Sequence, residues 1–159
     1  MTDTTDLQVG DIAPEFTTLD SNGTSISLSD IISKGSEVIL YFYPKDNTPG
    51  CTVQACDFRD NIERLSSNDL VVLGVSKDSE KSQQNFIEKQ SLNFSLLLDE
   101  DLDIHNKYGV WREKSMYGKK YMGTSRSTFV IGSDGKIKFA KYNVKSKGHV
   151  DLLISELGI

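Results

Sequence analysis

The hydrophobic residues of this chain follow two patterns that alternate along its length. Continuous apolar runs, which are typical of strands buried on both faces, occur at residues 38–43, 70–75 and 96–98. In other segments the apolar residues recur every three or four positions, as they do on one face of a helix. The clearest stripe of this kind lies near the C-terminus and consists of Val150, Leu153, Ile154 and Leu157.

Turn residues predict two hairpins. An Asn-Gly turn joins residues 16–19 to residues 25–28 near the N-terminus, and a Ser-Asp-Gly turn joins residues 128–131 to residues 137–142. In both cases the flanking residues are compatible with strands, so each pair is expected to be antiparallel.

Helical segments separate the predicted strands. Residues 51–66 carry an apolar stripe, Asp78 and Ser79 can cap a helix that buries Phe86, and residues 101–108 predict a helical turn. Strands interleaved with helices, closing in a hairpin and a helix, indicate an α/β protein. We expect a central mixed β-sheet with helices on both faces and an N-terminal β-hairpin, and a thioredoxin-like fold fits this order.

Length and charge narrow the classes of function. The chain has no linker or repeat, so residues 1–159 are predicted to form a single domain that needs no metal or disulfide to fold. The net charge of −5 argues against nucleic acid or an anionic membrane as a partner. Basic residues gather at 112–120 and 136–147, and we interpret both clusters as solvated faces.

The sequence predicts a cytoplasmic protein. Its first six residues have neither the basic nor the apolar region of a signal peptide, and no apolar run approaches the ~20 residues of a membrane span. In a reducing compartment, a pair of cysteines is more often redox-active or metal-bound than structural.

Cys51 is the candidate nucleophile, at the end of the run Pro44-Lys45-Asp46-Asn47-Thr48-Pro49-Gly50-Cys51. It lies between a predicted strand and a predicted helix, where unpaired backbone N–H groups and the helix dipole stabilise a thiolate. Pro44 ends the strand. Thr48 has two interpretations, because its hydroxyl either caps the helix or donates a hydrogen bond to the thiolate or to an oxygen under attack.

Cys56 is the candidate partner of Cys51. Five residues along a helix correspond to a rotation of about 140° and a Cα separation of roughly 8–9 Å. A disulfide needs roughly 4.4–6.8 Å, so the two thiols can join only after residues 51–56 unwind. We therefore predict an intact helix in the reduced protein and a remodelled segment in the oxidised one.

Other cysteine chemistry has little support in the sequence. A thioredoxin-type reductase would need Cys-x-x-Cys, and the wider spacing here also disfavours a zinc site. A cysteine protease would need a histidine base with an orienting partner. The two histidines, His105 and His149, are not in such a pattern, and we predict both to be surface or capping residues.

Residues 41–60 closely resemble the active-site signature of the peroxiredoxins, and within them the bacterioferritin comigratory protein, or Q-type, branch. The resemblance covers almost the whole chain. Its other landmarks are residues 9–16, 109–123, 125–131 and 147–149.

The resemblance implies a monomeric, atypical two-cysteine thiol peroxidase that acts without metal, haem or flavin. The cysteine matching Cys51 attacks hydrogen peroxide or an organic hydroperoxide and becomes a sulfenic acid. The cysteine matching Cys56 then forms a disulfide with it, and a thioredoxin-like dithiol restores the thiols. Pro44 shields the pocket, Thr48 hydrogen-bonds the peroxide, and an arginine of a later strand matches Arg126.

Several points stay open on the residues alone. Arg59 lies ~12 Å along the helix from Cys51, so an arginine from another strand is needed. Arg126 is a candidate because it precedes a buried strand, and a surface ion pair is the alternative. Gln54 and Gly132 depart from the Glu and Asp frequent in related chains. Two rival functions are a thiol–disulfide oxidoreductase that ignores peroxide, and a redox-sensing or chaperone-like module that recycles poorly.

Overall fold

A computed structural model describes residues 6–159. The strands are β1 (Thr17–Leu19), β2 (Ser25–Ser27), β3 (Glu37–Phe42), β4 (Leu70–Ser76), β5 (Ser95–Leu98), β6 (Trp111–Met116), β7 (Lys119–Thr124), β8 (Ser127–Ile131) and β9 (Ile137–Lys141). The helices are α1 (Leu28–Ser33), α2 (Pro49–Ser67), α3 (Glu80–Gln90), α4 (Asp103–Lys107) and α5 (His149–Leu157). None of the described helices is long and apolar enough to cross a membrane. The signal-peptide prediction concerns mainly residues 1–5, which lie outside the described residues.

The central sheet is mixed, as expected from the interleaved pattern. Its five strands are ordered β5-β4-β3-β8-β9, with β3, β4 and β5 parallel and with β8 antiparallel to both β3 and β9. Both predicted hairpins are present, β1 with β2 and β8 with β9. The thioredoxin-like α/β fold is therefore confirmed.

Strand β3 lies at the centre of the sheet and is buried on both faces. Ile39, Tyr41 and the following Tyr43 point into a core shared with α2 and α5, whereas Leu40 and Phe42 point into a second core on the opposite face. This arrangement explains why residues 38–43 form an uninterrupted apolar run. It also fixes the end of β3 as a rigid platform for the loop that leads to Cys51.

The pairing of β3 with β8 determines where distant residues meet. Phe42 lies opposite Ser127 in antiparallel register, so the residue before β8 lies near the end of β3. That residue is Arg126, which the fold thus brings to the edge of the sheet from which the Cys51 loop leaves.

Three elements were not expected from the sequence. Helix α1 is short and is capped by Ser27, whose hydroxyl accepts the N–H of Asp30. Strands β6 and β7 form a separate hairpin through a Tyr117-Gly118 turn, in which both residues have positive φ. This hairpin contains the whole basic cluster at 112–120, so that cluster is a mostly exposed ribbon.

The prediction that both histidines are surface or capping residues was wrong. His105 is fully buried: its ring nitrogens lie 2.6 Å from Asp99 Oδ2 and 2.9 Å from Thr124 Oγ1. His149 does begin α5, but it too is buried, with Nε2 2.8 Å from Thr128 Oγ1. Burial, followed by the nearby charges of Lys141 and Arg126, lowers the pKa of His149 to about 4.

Candidate active site

Cys51 lies in the first turn of α2, where the sequence predicted it. Thr48 occupies the N-cap position and Pro49 is the first helical residue, so the preset φ of proline suits the helix start. The Cys51 side chain is only 2% exposed because it continues the apolar stripe that includes Ala55 and Phe58. The sulfur is therefore held in a recessed position at a helix N-terminus, where the helix dipole favours negative charge.

Arg126 is the cation that faces this sulfur. Its Nη2 atom lies 3.4 Å from Cys51 Sγ, and its Nη1 atom donates a 2.7 Å hydrogen bond to Gln54 Oε1. The two bonds hold the guanidinium plane against the first two turns of α2. A guanidinium in this position stabilises a thiolate and any oxygen that departs from an attacked bond.

Gly50 makes the close approach of Arg126 possible. A Cβ atom at this position would lie 3.2 Å from Arg126 Nη2 and 3.2 Å from Ser146 Oγ. Any larger residue would therefore press on both groups. Ser146 follows β9, and nothing in the sequence pattern marks it as a neighbour of the thiol.

Thr48 does not cap α2 with its side chain. Its hydroxyl instead donates a 2.8 Å hydrogen bond to the carbonyl of Lys45 within the same loop. A hydroxyl has one proton, so in this arrangement the oxygen lone pairs are left free to accept a hydrogen bond. Pro44, at the other end of the loop, is half-buried directly beyond β3.

The loop between Pro44 and Thr48 is fastened by Asp46, which sequence reasoning missed. Its carboxylate accepts hydrogen bonds from Tyr43 Oη at 2.6 Å and from Ser82 Oγ at 2.8 Å, and its N–H donates to Asp78 Oδ2 at 2.9 Å. Burial raises the pKa of Asp46 to about 6. These bonds tie the loop to the start of α3 and limit the movement of Thr48.

Tyr41 lies beneath α2 and was also missed, because it reads as part of a buried strand. Its ring stacks on Phe58 with centroids 4.6 Å apart, and its hydroxyl is buried without a hydrogen-bond partner in residues 6–159. Burial, followed by the negative charge of Cys51, raises the pKa of Tyr41 well above its ordinary value. The phenol thus stays neutral and remains a potential donor near the sulfur.

Comparison with known proteins decides the family. The model of the AhpC/TSA family matches residues 9–140. The chain belongs to this peroxiredoxin family. Peroxiredoxin Bcp of Escherichia coli is 45% identical over 151 residues, which are 95% of this chain and 96% of that protein.

Solved structures give the same answer. A cysteine variant of Xanthomonas campestris peroxiredoxin Q is 36% identical, covers 96% of both chains and superposes with a TM-score of 0.86. A cysteine variant of Xylella fastidiosa PrxQ is 34% identical, covers 97% of both chains and has a TM-score of 0.89. The resemblance to the bacterioferritin comigratory protein, or Q-type, branch is therefore confirmed.

In this peroxiredoxin the second cysteine is held away from the first. Helix α2 is continuous through Cys51 and Cys56, and both are free thiols. The Cys56 thiol is half-buried and donates to Gln90 Oε1 at 3.5 Å, on the side of α2 that faces α3. The intact helix expected of the reduced protein is thus present, whereas the remodelled oxidised form remains a prediction.

The β6–β7 hairpin of the peroxiredoxin carries a further cation, Lys114. Lys114 is half-buried, and its aliphatic chain lies over Gly123, where a Cβ atom would come within 3.1 Å of Lys114 Cδ. Burial and the charge of Arg126 lower the pKa of Lys114, and the charge of Cys51 opposes that effect. Only a basic cluster could be recognised here from the sequence, since the hairpin that contains Lys114 was not predicted.

Proposed function

We propose that this peroxiredoxin reduces hydrogen peroxide and organic hydroperoxides through a sulfenic acid at Cys51. In this scheme Cys56 converts the sulfenic acid into an intramolecular disulfide, and a thioredoxin-like dithiol reduces that disulfide. The observation that carries the proposal is the 3.4 Å contact between Arg126 Nη2 and Cys51 Sγ at the N-terminus of α2. It joins a fixed cation to a recessed nucleophile.

In the first step the Cys51 thiolate attacks the terminal oxygen of the hydroperoxide. A sulfur–oxygen bond forms, the oxygen–oxygen bond breaks, and the other oxygen leaves as water or alcohol after taking up a proton. Arg126 stabilises the charge as it moves from sulfur to the departing oxygen. Thr48, whose proton is already engaged by Lys45, accepts the hydrogen bond of the peroxide O–H and so orients it.

In the second step Cys56 attacks the sulfenic sulfur of Cys51. A disulfide forms, the sulfur–oxygen bond breaks and water leaves. The reductant then provides two thiols, which become a disulfide as those of the peroxiredoxin are restored. Pro44 and the surrounding loop shield the sulfur from larger reactants until that segment opens.

We further propose that the protein works as a monomer in the cytoplasm. Both cysteines of the cycle belong to one chain, five residues apart, so no second subunit has to supply a thiol. A dithiol reductant of this kind operates in a compartment that keeps thiols reduced. Light scattering on a size-exclusion column tests the first point, and cell fractionation tests the second.

The deciding experiment couples peroxide consumption to NADPH through thioredoxin and its reductase. Wild type should turn over with hydrogen peroxide and with tert-butyl hydroperoxide, whereas Cys51→Ser should be inactive. Cys56→Ser should complete one turnover in a stopped-flow experiment and then stop. If Cys56→Ser also lost its first turnover, the assigned division of roles would be wrong.

The same assay separates the rival functions. A thiol–disulfide oxidoreductase would reduce a protein disulfide and leave peroxide untouched. A redox-sensing module would react once with peroxide and then be recycled poorly by every dithiol supplied.

A further inference from the structure

The thiol of Cys56 is held by one residue at the end of α3. Its sulfur donates to Gln90 Oε1 at 3.5 Å, and Gln90 is the last residue of that helix. The next residue, Ser91, adopts the left-handed conformation with φ 52° and ends α3. The backbone at Gln90 is thus held at a helix terminus.

Gln90 also contacts α2 one turn further along. Arg59 Nη1 donates a 2.6 Å hydrogen bond to the backbone carbonyl of Gln90. The backbone of Arg59 in turn accepts a 3.3 Å hydrogen bond from Asn93 Nδ2. One residue of α3 therefore contacts α2 twice, through its side chain at Cys56 and through its backbone at Arg59.

The reaction requires residues 51–56 to unwind, and only one of the two contacts lies within that segment. Cys51 and Cys56 cannot join while the helix between them is intact, so Cys56 must leave Gln90 when this segment unwinds. Arg59 lies three residues beyond that segment, and its partner is a backbone carbonyl at the end of α3. The side-chain contact must break, whereas the backbone contact can persist.

We propose that Gln90 is a positioning residue that restrains Cys56 in the folded enzyme and thereby sets the rate at which Cys56 reaches the oxidised Cys51. The inference rests on the proposed function and concerns its second step. The Gln90 side chain acts as the restraint, and the bond from Arg59 to the Gln90 carbonyl marks where unwinding ends.

The restraint matters because the sulfenic acid has two competing fates. Cys56 can attack the sulfenic sulfur, which forms the disulfide and releases water. Alternatively, a second hydrogen peroxide molecule can oxidise the sulfenic acid to a sulfinic acid, again releasing water, and this product is not reduced by dithiols. A stronger restraint on Cys56 slows disulfide formation, so the sulfenic acid persists longer. A larger fraction of it is then oxidised to the sulfinic acid.

The test compares Gln90→Met with Gln84→Met in the full-length protein. Methionine removes the acceptor of the Cys56 bond but keeps the chain length and the backbone carbonyl that binds Arg59. Gln84 is the matched control, since it lies on α3 and donates to Ser21 O, away from α2. Quenched-flow oxidation with hydrogen peroxide, thiol alkylation and mass spectrometry then resolve sulfenic acid, disulfide and sulfinic acid over time.

In Gln90→Met the first oxidation should keep its rate, whereas disulfide formation should be about threefold faster, as expected for the loss of one weak S–H···O bond. The sulfinic share per turnover should fall by the same factor of about three. Gln84→Met should behave as wild type. Gln90→Glu, whose charged acceptor binds the thiol more strongly, should slow disulfide formation.

Equal rates of disulfide formation in wild type, Gln90→Met and Gln90→Glu would overturn the inference. That result differs from a failure of the proposed function, in which wild type itself would form no disulfide between Cys51 and Cys56. Urea unfolding of each variant measures its stability. If a general loss of stability on α3 caused the faster disulfide formation, Gln84→Met would show it as well.

Discussion

Replacing Arg126 by methionine should remove the main electrostatic support of Cys51 while preserving much of the side-chain volume. A full charge pair at the observed 3.4 Å would attract with about 5 kcal/mol at an effective dielectric constant near 20. Arg126 is only half-buried, so the smaller value of about 1.5–3 kcal/mol for a hydrogen bond to a charged group is the better guide. This range corresponds to a loss of roughly 10- to 150-fold in the rate of peroxide reduction.

The assay is single-turnover oxidation of Cys51 by hydrogen peroxide under stopped flow, which isolates this step from recycling. Arg126→Lys keeps the charge but cannot bind Cys51 and Gln54 together, so it should fall between wild type and Arg126→Met. Gln54→Ala acts through the arginine and should therefore lower the rate in wild type but not in Arg126→Met. A folded Arg126→Met protein within threefold of the wild-type rate would refute the assigned role of the guanidinium.

Three other substitutions test separate parts of the structure. As the pH falls from 6.5 to 4, the buried ring of His149 should cost wild type up to about 3 kcal/mol of stability, because its pKa is about 4 and the unfolded chain binds the proton first. His149→Gln should remove this contribution, and parallel stability curves of the two proteins in urea titrations at several pH values would contradict it. Thr48→Val should slow peroxide reduction by roughly 10- to 100-fold, since it removes the acceptor that orients the substrate, and Thr48→Ser should stay close to wild type in stopped flow. Equal rates for valine and serine would exclude that role. Gly74→Ala should lower the free energy of unfolding by about 1–3 kcal/mol, because its Cβ would lie 2.8 Å from Leu96 and 3.0 Å from the Tyr41 ring. An unchanged midpoint in urea unfolding would contradict this and show that the core accommodates the added methyl group.

Features encoded by local pattern could be predicted from the sequence. The run at 38–43 must be buried on both faces, and Pro49 followed by Gly50 and an apolar stripe fixes where α2 begins. The depth of Cys51 follows from the same stripe, because a residue four positions before Ala55 lies on the same side of the helix. These conclusions need no knowledge of distant contacts.

Features that depend on tertiary contacts could not be predicted in this way. The contact of Arg126 with Cys51 spans 75 residues and exists only because β8 pairs with β3, so the resemblance to a family was needed to single it out. In the sequence, the segment with Asp99 and His105 resembles a solvated loop. Its burial depends on a third partner, Thr124, which lies 19 residues beyond His105 at the end of β7. The β6–β7 hairpin was missed because it is largely exposed and lacks the alternating apolar residues that mark a half-buried strand.

The antiparallel pairing of β3 with β8 also has a consequence for the newly made protein. A ribosome adds about 5–20 residues per second, so Arg126 is synthesised several seconds after Cys51. During that interval the nascent chain has its cysteine but not the guanidinium that lies beside it in the folded protein. The complete reactive centre therefore arises only after the C-terminal half has joined the sheet, and an unfinished or truncated chain presents Cys51 as an ordinary thiol.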